Sequence, residues 1–458
     1  MKKIEDFLGD VSDIVWGIPL LILLVGTGIY LTIRLGFLQI RSLPYALKLA
    51  FSKNHDKSSE GDISHFQALM TASAATIGTG NIVGVATAVV LGGPGAILWM
   101  WLAGLFGMAT KYGEAILAVK FRVKDSEGNM AGGPMYYLEK GLKQKWLGVL
   151  FAIFGAFAAF GIGNGTQAKA VADLMNDTFS VPFWVTGLAL VIFAGLVILG
   201  GIKWIGRVTA FFVPFMAVFY ILAGLIVIVV NINLVPEAIG TIFTYAFSGQ
   251  AVAGGTVGAV IRYGVARGLF SNESGLGSAP IAAAAAKTDL PGRQALVSMV
   301  QVLIDTLIIC AITGITIVMS GLWEDKSIEA GVLTSAAFGK LLGGVGPYLI
   351  TFGLLFFAAS TILGWSYYGE KCFQYLFKNP VAVKAYRTIF VLFIFVGATA
   401  SIDAVWALAD VLNGLMAIPN LIGLLGLSGI IIYETKRFQQ KVKEEKEESI
   451  QLAKKANG

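Results

Sequence analysis

Ala74-Ala75-Thr76-Ile77-Gly78-Thr79-Gly80-Asn81-Ile82-Val83-Gly84 lies inside a long apolar run, and its glycines predict a helix that breaks part-way across. Each glycine weakens a helix by about 1 kcal/mol relative to alanine. A second stretch, Ser248-Gly249-Gln250-Ala251-Val252-Ala253-Gly254-Gly255-Thr256-Val257-Gly258, has the same character. Small residues also let membrane helices pack closely, which is the plain explanation of a lone glycine. Here each cluster is mixed with hydroxyl and amide side chains that a packing seam does not need. Backbone groups freed by a break are tolerated in a membrane only where they line a cavity or hold a ligand.

Working outward, apolar runs long enough to cross the hydrocarbon core recur along the chain. They are expected at 14–33, 66–91, 95–121, 146–174, 183–199, 208–230, 238–270, 295–322, 346–377, 388–401 and 404–433. Of the 458 residues 56% are hydrophobic and 14% charged, a balance that excludes an ordinary soluble domain. The short alternating segments of a β-barrel are absent. The fold class is therefore an all-α integral membrane protein with 11 transmembrane helices. Asn413-Gly414 and Pro419-Asn420 are read as interrupting the last span without splitting it into two crossings.

Loop charge gives the orientation. Arg34, Arg41, Lys48, Lys53 and Lys57 follow the first span, and Lys120, Arg122, Lys124, Lys140, Lys143 and Lys145 follow the third. Arg262, Arg267, Lys287 and Arg293 are grouped in a later basic loop, whereas Gly92-Gly93-Pro94 carries no charge. By the positive-inside rule the N-terminus lies outside and the basic C-terminal tail in the cytoplasm of a cell-membrane protein. The net charge of +6 belongs to these loops rather than to nucleic-acid binding. Leaving out the first span, the two glycine clusters open two sets of five helices that must run in opposite senses. That is the order of a five-plus-five inverted repeat with two broken helices around a midplane site. The expected organisation is an extra helix and cytoplasmic loop at 1–65, repeats at 66–235 and 236–435, and a charged cytoplasmic tail at 436–458.

Several smaller expectations accompany this frame. Ser278-Ala279-Pro280 and the alanines at 282–286 read as a short helix capped by the serine, and 37–51 as an interfacial helix. His55 and His65 read as solvated loop residues, and Cys310 and Cys372, in or beside apolar runs, do not suggest a disulfide framework. Among charges inside spans, Lys111 and Glu114 suit an ion pair. Asp305 suits proton coupling or gating, or equally a basic partner, and Asp410 and Asn413 a vestibule wall. Arg267 and Glu273 are expected to flank a cytoplasmic helix end.

At these residues the sequence resembles the alanine or glycine:cation symporter family. The resemblance rests on Gly78-Thr79-Gly80-Asn81-Ile82-Val83-Gly84 and on Gly92-Gly93-Pro94-Gly95-Ala96-Ile97-Leu98-Trp99-Met100-Trp101. A third motif is Ala266-Arg267-Gly268-Leu269-Phe270-Ser271-Asn272-Glu273-Ser274-Gly275-Leu276-Gly277-Ser278-Ala279-Pro280. In the fourth span the family's usual Gly-Asn-Met-Val-Gln-Ala-Asn pattern appears as Gly163-Asn164-Gly165-Thr166-Gln167-Ala168-Lys169, a departure at Gly165, Thr166 and Lys169 of which Lys169 for asparagine is the most consequential. The resemblance implies a leucine-transporter-like fold and sodium-coupled uptake of small neutral amino acids such as alanine or glycine. It implies substrate contacts from Thr76, Gly78, Thr79 and Gly80, with amides from Asn81 and Gln167. Gly254, Gly255 and Thr256 would close the far side, and Trp365 would form a wall. The implied sodium site uses the carbonyls of Ala74, Ile77 and Phe357 and the hydroxyls of Ser360 and Thr361. Read from the residues alone, that Ser-Thr pair is equally well explained by bonding back to its own helix.

Proton-coupled uptake of another small solute on the same fold is the nearest alternative, with Asp305 in its favour. No clustered metal ligands or phosphate loop suggest an enzyme, and no charged ring suggests a channel. The expected partners are a small amino acid and the lipid bilayer, with the protein a monomer.

Overall fold

The computed structural model describes residues 2–52, 59–247, 256–400 and 403–456. The chain opens with α1 (Lys2–Val15) and α2 (Ile18–Arg34), followed by two short helices at Leu38–Arg41 and Leu43–Phe51 where an interfacial segment is expected. The first broken helix consists of α3 (His65–Thr76), a π-helical turn at Gly80–Gly84 and α4 (Val85–Gly92). Its two arms meet at a bend of 54°. Then come α5 (Ala96–Lys120) and a two-stranded hairpin, β1 (Val123–Lys124) with β2 (Met130–Ala131). Next are α6 (Lys145–Phe160), a π-helical turn at Gly161–Gly165 and α7 (Thr166–Phe179). Helices α8 (Phe183–Ile198), α9 (Gly201–Val230) and α10 (Val235–Phe247) follow.

The second half starts with α11 (Thr256–Asn272) and the short α12 (Pro280–Ala284). Helices α13 (Pro291–Val302) and α14 (Ala311–Ser320) are joined by a π-helical turn at Leu303–Cys310. The chain ends with α15 (Ala330–Leu342), α16 (Val345–Leu376), α17 (Pro380–Thr399), α18 (Asp403–Gly426) and α19 (Ser428–Ala456). Among the described residues seven helices are long and apolar enough to cross a membrane, eight with the bent pair. Large apolar side chains such as Phe211, Leu196 and Val229 point outward, as a lipid-facing surface requires.

Four expectations are corrected here. The run at 238–270 is not one span: α10 and α11 are separate, and the cluster around Gly254 and Gly255 falls outside the described residues. The last run is not interrupted at Asn413-Gly414 or Pro419-Asn420, because α18 continues through both and the chain turns only at Leu427. Neighbouring packing keeps a helix going past a proline in a membrane bundle. Ser278 does not cap α12; Ala279 holds that position, and the serine hydroxyl donates to Glu273 at 2.6 Å. His65 is buried at the start of α3, with Nδ1 2.6 Å from Gln294 Oε1, while His55 lies outside the described residues. Cys310 and Cys372 are unpaired and buried.

Candidate functional site

The first break is built by a helix that starts firmly and stops early. A reciprocal cap opens α3: Gln67 N–H donates to Ser64 Oγ at 3.1 Å and Ser64 N–H to Gln67 Oε1 at 2.9 Å. At the other end Ile77 is extended (φ −77°, ψ 94°). The Gly78 N–H turns away from the helix to Asn81 Oδ1 at 2.8 Å. Thr79 N–H donates to Gln167 Oε1 at 3.2 Å, and Gln167 Nε2 donates to Thr79 Oγ1 and to Ile162 O, both at 3.0 Å. Two buried amides therefore hold the Gly78 and Thr79 N–H groups that the break exposes.

That diversion frees carbonyls. The N–H that would close a helical turn onto Ala74 O is the one held by Asn81, and the Asn81 N–H donates instead to Gly78 O. Ser360 Oγ lies 3.3 Å from Ala74 O and 2.8 Å from Phe357 O. Thr361 Oγ1 lies 3.1 Å from Ile77 O and 3.0 Å from Phe357 O. Three carbonyls thus face two hydroxyls that carry one proton each. All of these residues are buried. A dry cluster of hard oxygens with more lone pairs than protons suits an alkali cation. Every oxygen that the family resemblance implied for sodium is in this group.

A second break faces the first, and it is not at the expected place. Helix α11 ends at Asn272, and the chain crosses to α12 through residues 273–279, with Glu273, Gly275 and Gly277 all at positive φ. Glu114 Oε1 accepts from the N–H groups of Gly275 and Gly277 at 3.0 and 3.1 Å and from Asn420 Nδ2 at 2.7 Å. Lys111 Nζ donates to Glu273 O at 3.1 Å and lies 3.9 Å from Glu114 Oε2. The expected Lys111–Glu114 pair is present, and it also caps the break. A side chain at Gly277 would put its Cβ 2.6 Å from Pro134 and 2.8 Å from Phe151.

Side chains of the π-helical turn at Leu303–Cys310 and of α13 link the breaks. Gln301 Nε2 donates to Thr76 Oγ1 at 2.9 Å and to Asn272 O at 3.3 Å. Asp305 accepts from Asn81 Nδ2 and Thr306 Oγ1, both at 2.7 Å, and from Ser271 Oγ at 3.0 Å. Its hydrogen-bond partners among the described residues are all neutral, so the alternative of a basic partner is corrected. Trp365 is buried, lies beside Glu273, and packs so closely on Gly163 that a Cβ there would lie 2.1 Å away.

Thr76, Gly78, Thr79, Gly80, Asn81 and Gln167 are therefore together, with Trp365 at the second break. Thr256 is not with them. It starts α11, and the 16 residues on to Asn272, at about 1.5 Å each, put it some 24 Å from the break. Asn81 and Gln167 use their amides on the break itself and on Asp305. Ser271, Asn272 and Glu273 were missed as site residues. The signal for them is the loop-forming Gly-x-Gly before Pro280 in a motif first read only as a family mark.

The model of the sodium:alanine symporter family matches residues 1–452. The chain belongs to the sodium:alanine symporter family. The sodium/alanine symporter AgcS of Methanococcus maripaludis is 60% identical over 437 residues, covering 94% of this chain and 96% of the relative. An uncharacterized transporter of Haemophilus influenzae is 54% identical, with 96% and 97% covered. In fold, the chain is similar to MhsT, solved in complex with L-phenylalanine, at a TM-score of 0.56. That match has 14% identity and covers 82% of this chain and 98% of MhsT. The family is one of transporters, not enzymes.

In this symporter-family member the other singled-out charges sit away from the breaks. Lys169 pairs with Asp173 at 2.5 Å and lies over the Phe183 ring. Asp410 accepts from Ser12 at 2.5 Å and lines a cavity of about 80 Å³ with Asp13, Arg262 and Arg267. Arg262 pairs with Asp13 at 2.7 Å, at the end of α2 opposite residues 35–63. Arg262 and Arg267 therefore do not share a face with Lys287, as the loop reading expected. Lys287 N–H donates to Ile63 O on the opposite face.

Proposed function

We propose that this protein carries alanine, or a neutral amino acid of similar size such as glycine, across the cell membrane together with sodium, by alternating access. The carrying observation is the group of five buried oxygens from Ala74, Ile77, Phe357, Ser360 and Thr361. The substrate sits beside it at the facing breaks, where backbone from Thr76 to Gly80 close to the ligand favours a small side chain such as a methyl group. The zwitterion's carboxylate suits free N–H groups and its ammonium suits carbonyls. The assignment to alanine rests on the relatives, and sodium-driven alanine uptake into proteoliposomes tests it, with Ser360→Ala/Thr361→Ala as the comparison.

The architecture that we assign to this activity has eleven crossings. They are Asp6–Arg34, the bent pair, α5, Lys145–Phe179, α8, α9, α11 with α12, Pro291–Ser320, α16, α17 and α18. Crossings two to six and seven to eleven form the two inverted repeats. Two observations support the inversion. The start of α3 lies beside residues 285–288, whereas α11 reaches its break from the face where Arg262 meets Asp13. Residues 59–63, 122–124 and 284–288 form the cytoplasmic end, with the N-terminus outside and a monomer as the working unit.

Asp305 favours a second reading, in which a proton accompanies or replaces sodium. A fully buried carboxylate beside both breaks, held only by neutral donors, is a functional site by default in a membrane. Under this reading Asp305→Asn abolishes uptake driven by a pH gradient. Proton-driven uptake that survives the substitution removes it.

A further inference from the structure

At the cytoplasmic end one side chain holds the ends of both broken helices. Residues 59–63 lead into α3, and residues 285–288 lead out of α12. They meet in an isolated parallel bridge between Ile63 and Ala286. Asp62 N–H donates to Ala285 O at 2.8 Å and Lys287 N–H to Ile63 O at 2.8 Å. Arg122, just past the end of α5, covers this bridge with its guanidinium. Its Nη1 donates to Ala284 O at 3.0 Å and Ala286 O at 2.6 Å; its Nη2 donates to Glu60 O at 2.8 Å and Thr288 O at 2.9 Å.

Four carbonyls on two segments thus converge on one planar group, a fit that the fork of donors gives arginine and not lysine. The segments can come this close because two positions lack a side chain. A Cβ at Gly61 would lie 2.4 Å from Lys287 Cα, and one at Gly132 would lie 2.5 Å from Ala284 Cβ. Beside the bridge, Asp62 Oδ2 accepts from Met130 N–H of the hairpin at 2.7 Å, and Lys124 meets Glu60 at 2.9 Å. That second pair is solvent-exposed and holds little.

We propose that Arg122 is the pin of the cytoplasmic gate: it locks the arms below the two breaks together in the closed state, and its release lets them part. This rests on the alternating-access reading above. All four bonds come from one side chain at the rim of the bundle, and water can take its place at each carbonyl as the arms separate. Helix α5, an uninterrupted run of 25 residues, is the fixed post that carries the pin.

Labelling of A285C with a membrane-impermeant maleimide from the cytoplasmic side tests this without any transport assay. Ala285 is fully buried in the bridge, and the native Cys310 and Cys372 are buried too and report any general unfolding. Arg122→Gln in that background is expected to speed labelling at 285 at least tenfold while both native cysteines stay protected. Arg122→Lys, which keeps the charge but cannot span the four carbonyls, is expected to fall between. An unchanged rate at 285 in Arg122→Gln overturns the proposal. If Arg122→Gln exposes the native cysteines, Arg122→Lys decides in the same way. Sodium-driven alanine uptake by the unmodified protein is measured separately, so loss of the transport reading and loss of the pin give different results.

Discussion

A Cβ on Gly78 would lie 2.5 Å from Thr361 Oγ1 and 3.1 Å from Gln167 Oε1, so a missing methyl group keeps the hydroxyls against the break. Gly84, in the same motif, has nothing within 4 Å of such a Cβ. Gly78→Ala is therefore expected to raise the sodium concentration for half-maximal alanine uptake at least tenfold. Its overpacking should also cost about 1–3 kcal/mol of stability, read as a lower Tm in detergent. Gly84→Ala should change neither, and equal behaviour of the two variants would remove this explanation of Gly78. The glycines of the first break were legible in the sequence because residues that suit neither lipid contact nor helix need another use, whereas Ser360 and Thr361 entered only through the family resemblance. The partners of Asn81 and Gln167 were not. An amide that ties down its own broken backbone has the same sequence as one that waits for a ligand.

Among the elements, the first break was legible and the second was displaced. The sequence between Ser248 and Gly258 carries more glycine than the one between Asn272 and Pro280, yet the latter forms the break beside Thr76. What selects it is tertiary: Glu114 and Lys111 on α5 and Asn420 on α18 supply the hydrogen bonds that an interrupted helix needs. The π-helical turns at Gly80–Gly84, Gly161–Gly165 and Leu303–Cys310 leave no mark in an apolar pattern, since each is a single extra residue of winding. The hairpin after α5 went unread too, and it carries a prediction. Burial opposes the charge of Asp125, but Lys371 Nζ at 2.7 Å and the N–H groups of Asn129 and Glu127 outweigh it and hold the carboxyl below its usual value of 3.8. Its folded value is the lower one, so its stabilisation is complete above about pH 4 and fades as pH falls through the folded value. Hydrogen exchange of the 123–131 hairpin is expected to be flat from pH 8 to 5 after correction for intrinsic rates. Asp125→Asn should raise it across that range, and no change would mean that the ion pair does not hold the hairpin.

For the whole molecule, the apolar composition and loop charges led to a bundle with a protected interior. The structure adds why that interior holds together. The buried charges outside the breaks sit in pairs, such as Glu370 with Arg387 at 2.6 Å and Lys120 with Glu434 at 2.6 Å. Loop charge misplaced Arg262 and Arg267, because a basic residue inside a half-length helix belongs to whichever face that helix starts from. The central claim is that sodium, bound by the five oxygens between the first broken helix and α16, drives alanine across the bundle. Its most direct test is labelled-alanine uptake into proteoliposomes under an inward sodium gradient or an equal choline gradient, for the unmodified protein and Ser360→Ala/Thr361→Ala. The account predicts accumulation only with sodium, competed by unlabelled alanine or glycine, and a sodium requirement raised at least tenfold in the double variant. Equal uptake in sodium and choline, or a double variant with unchanged sodium dependence, would contradict it.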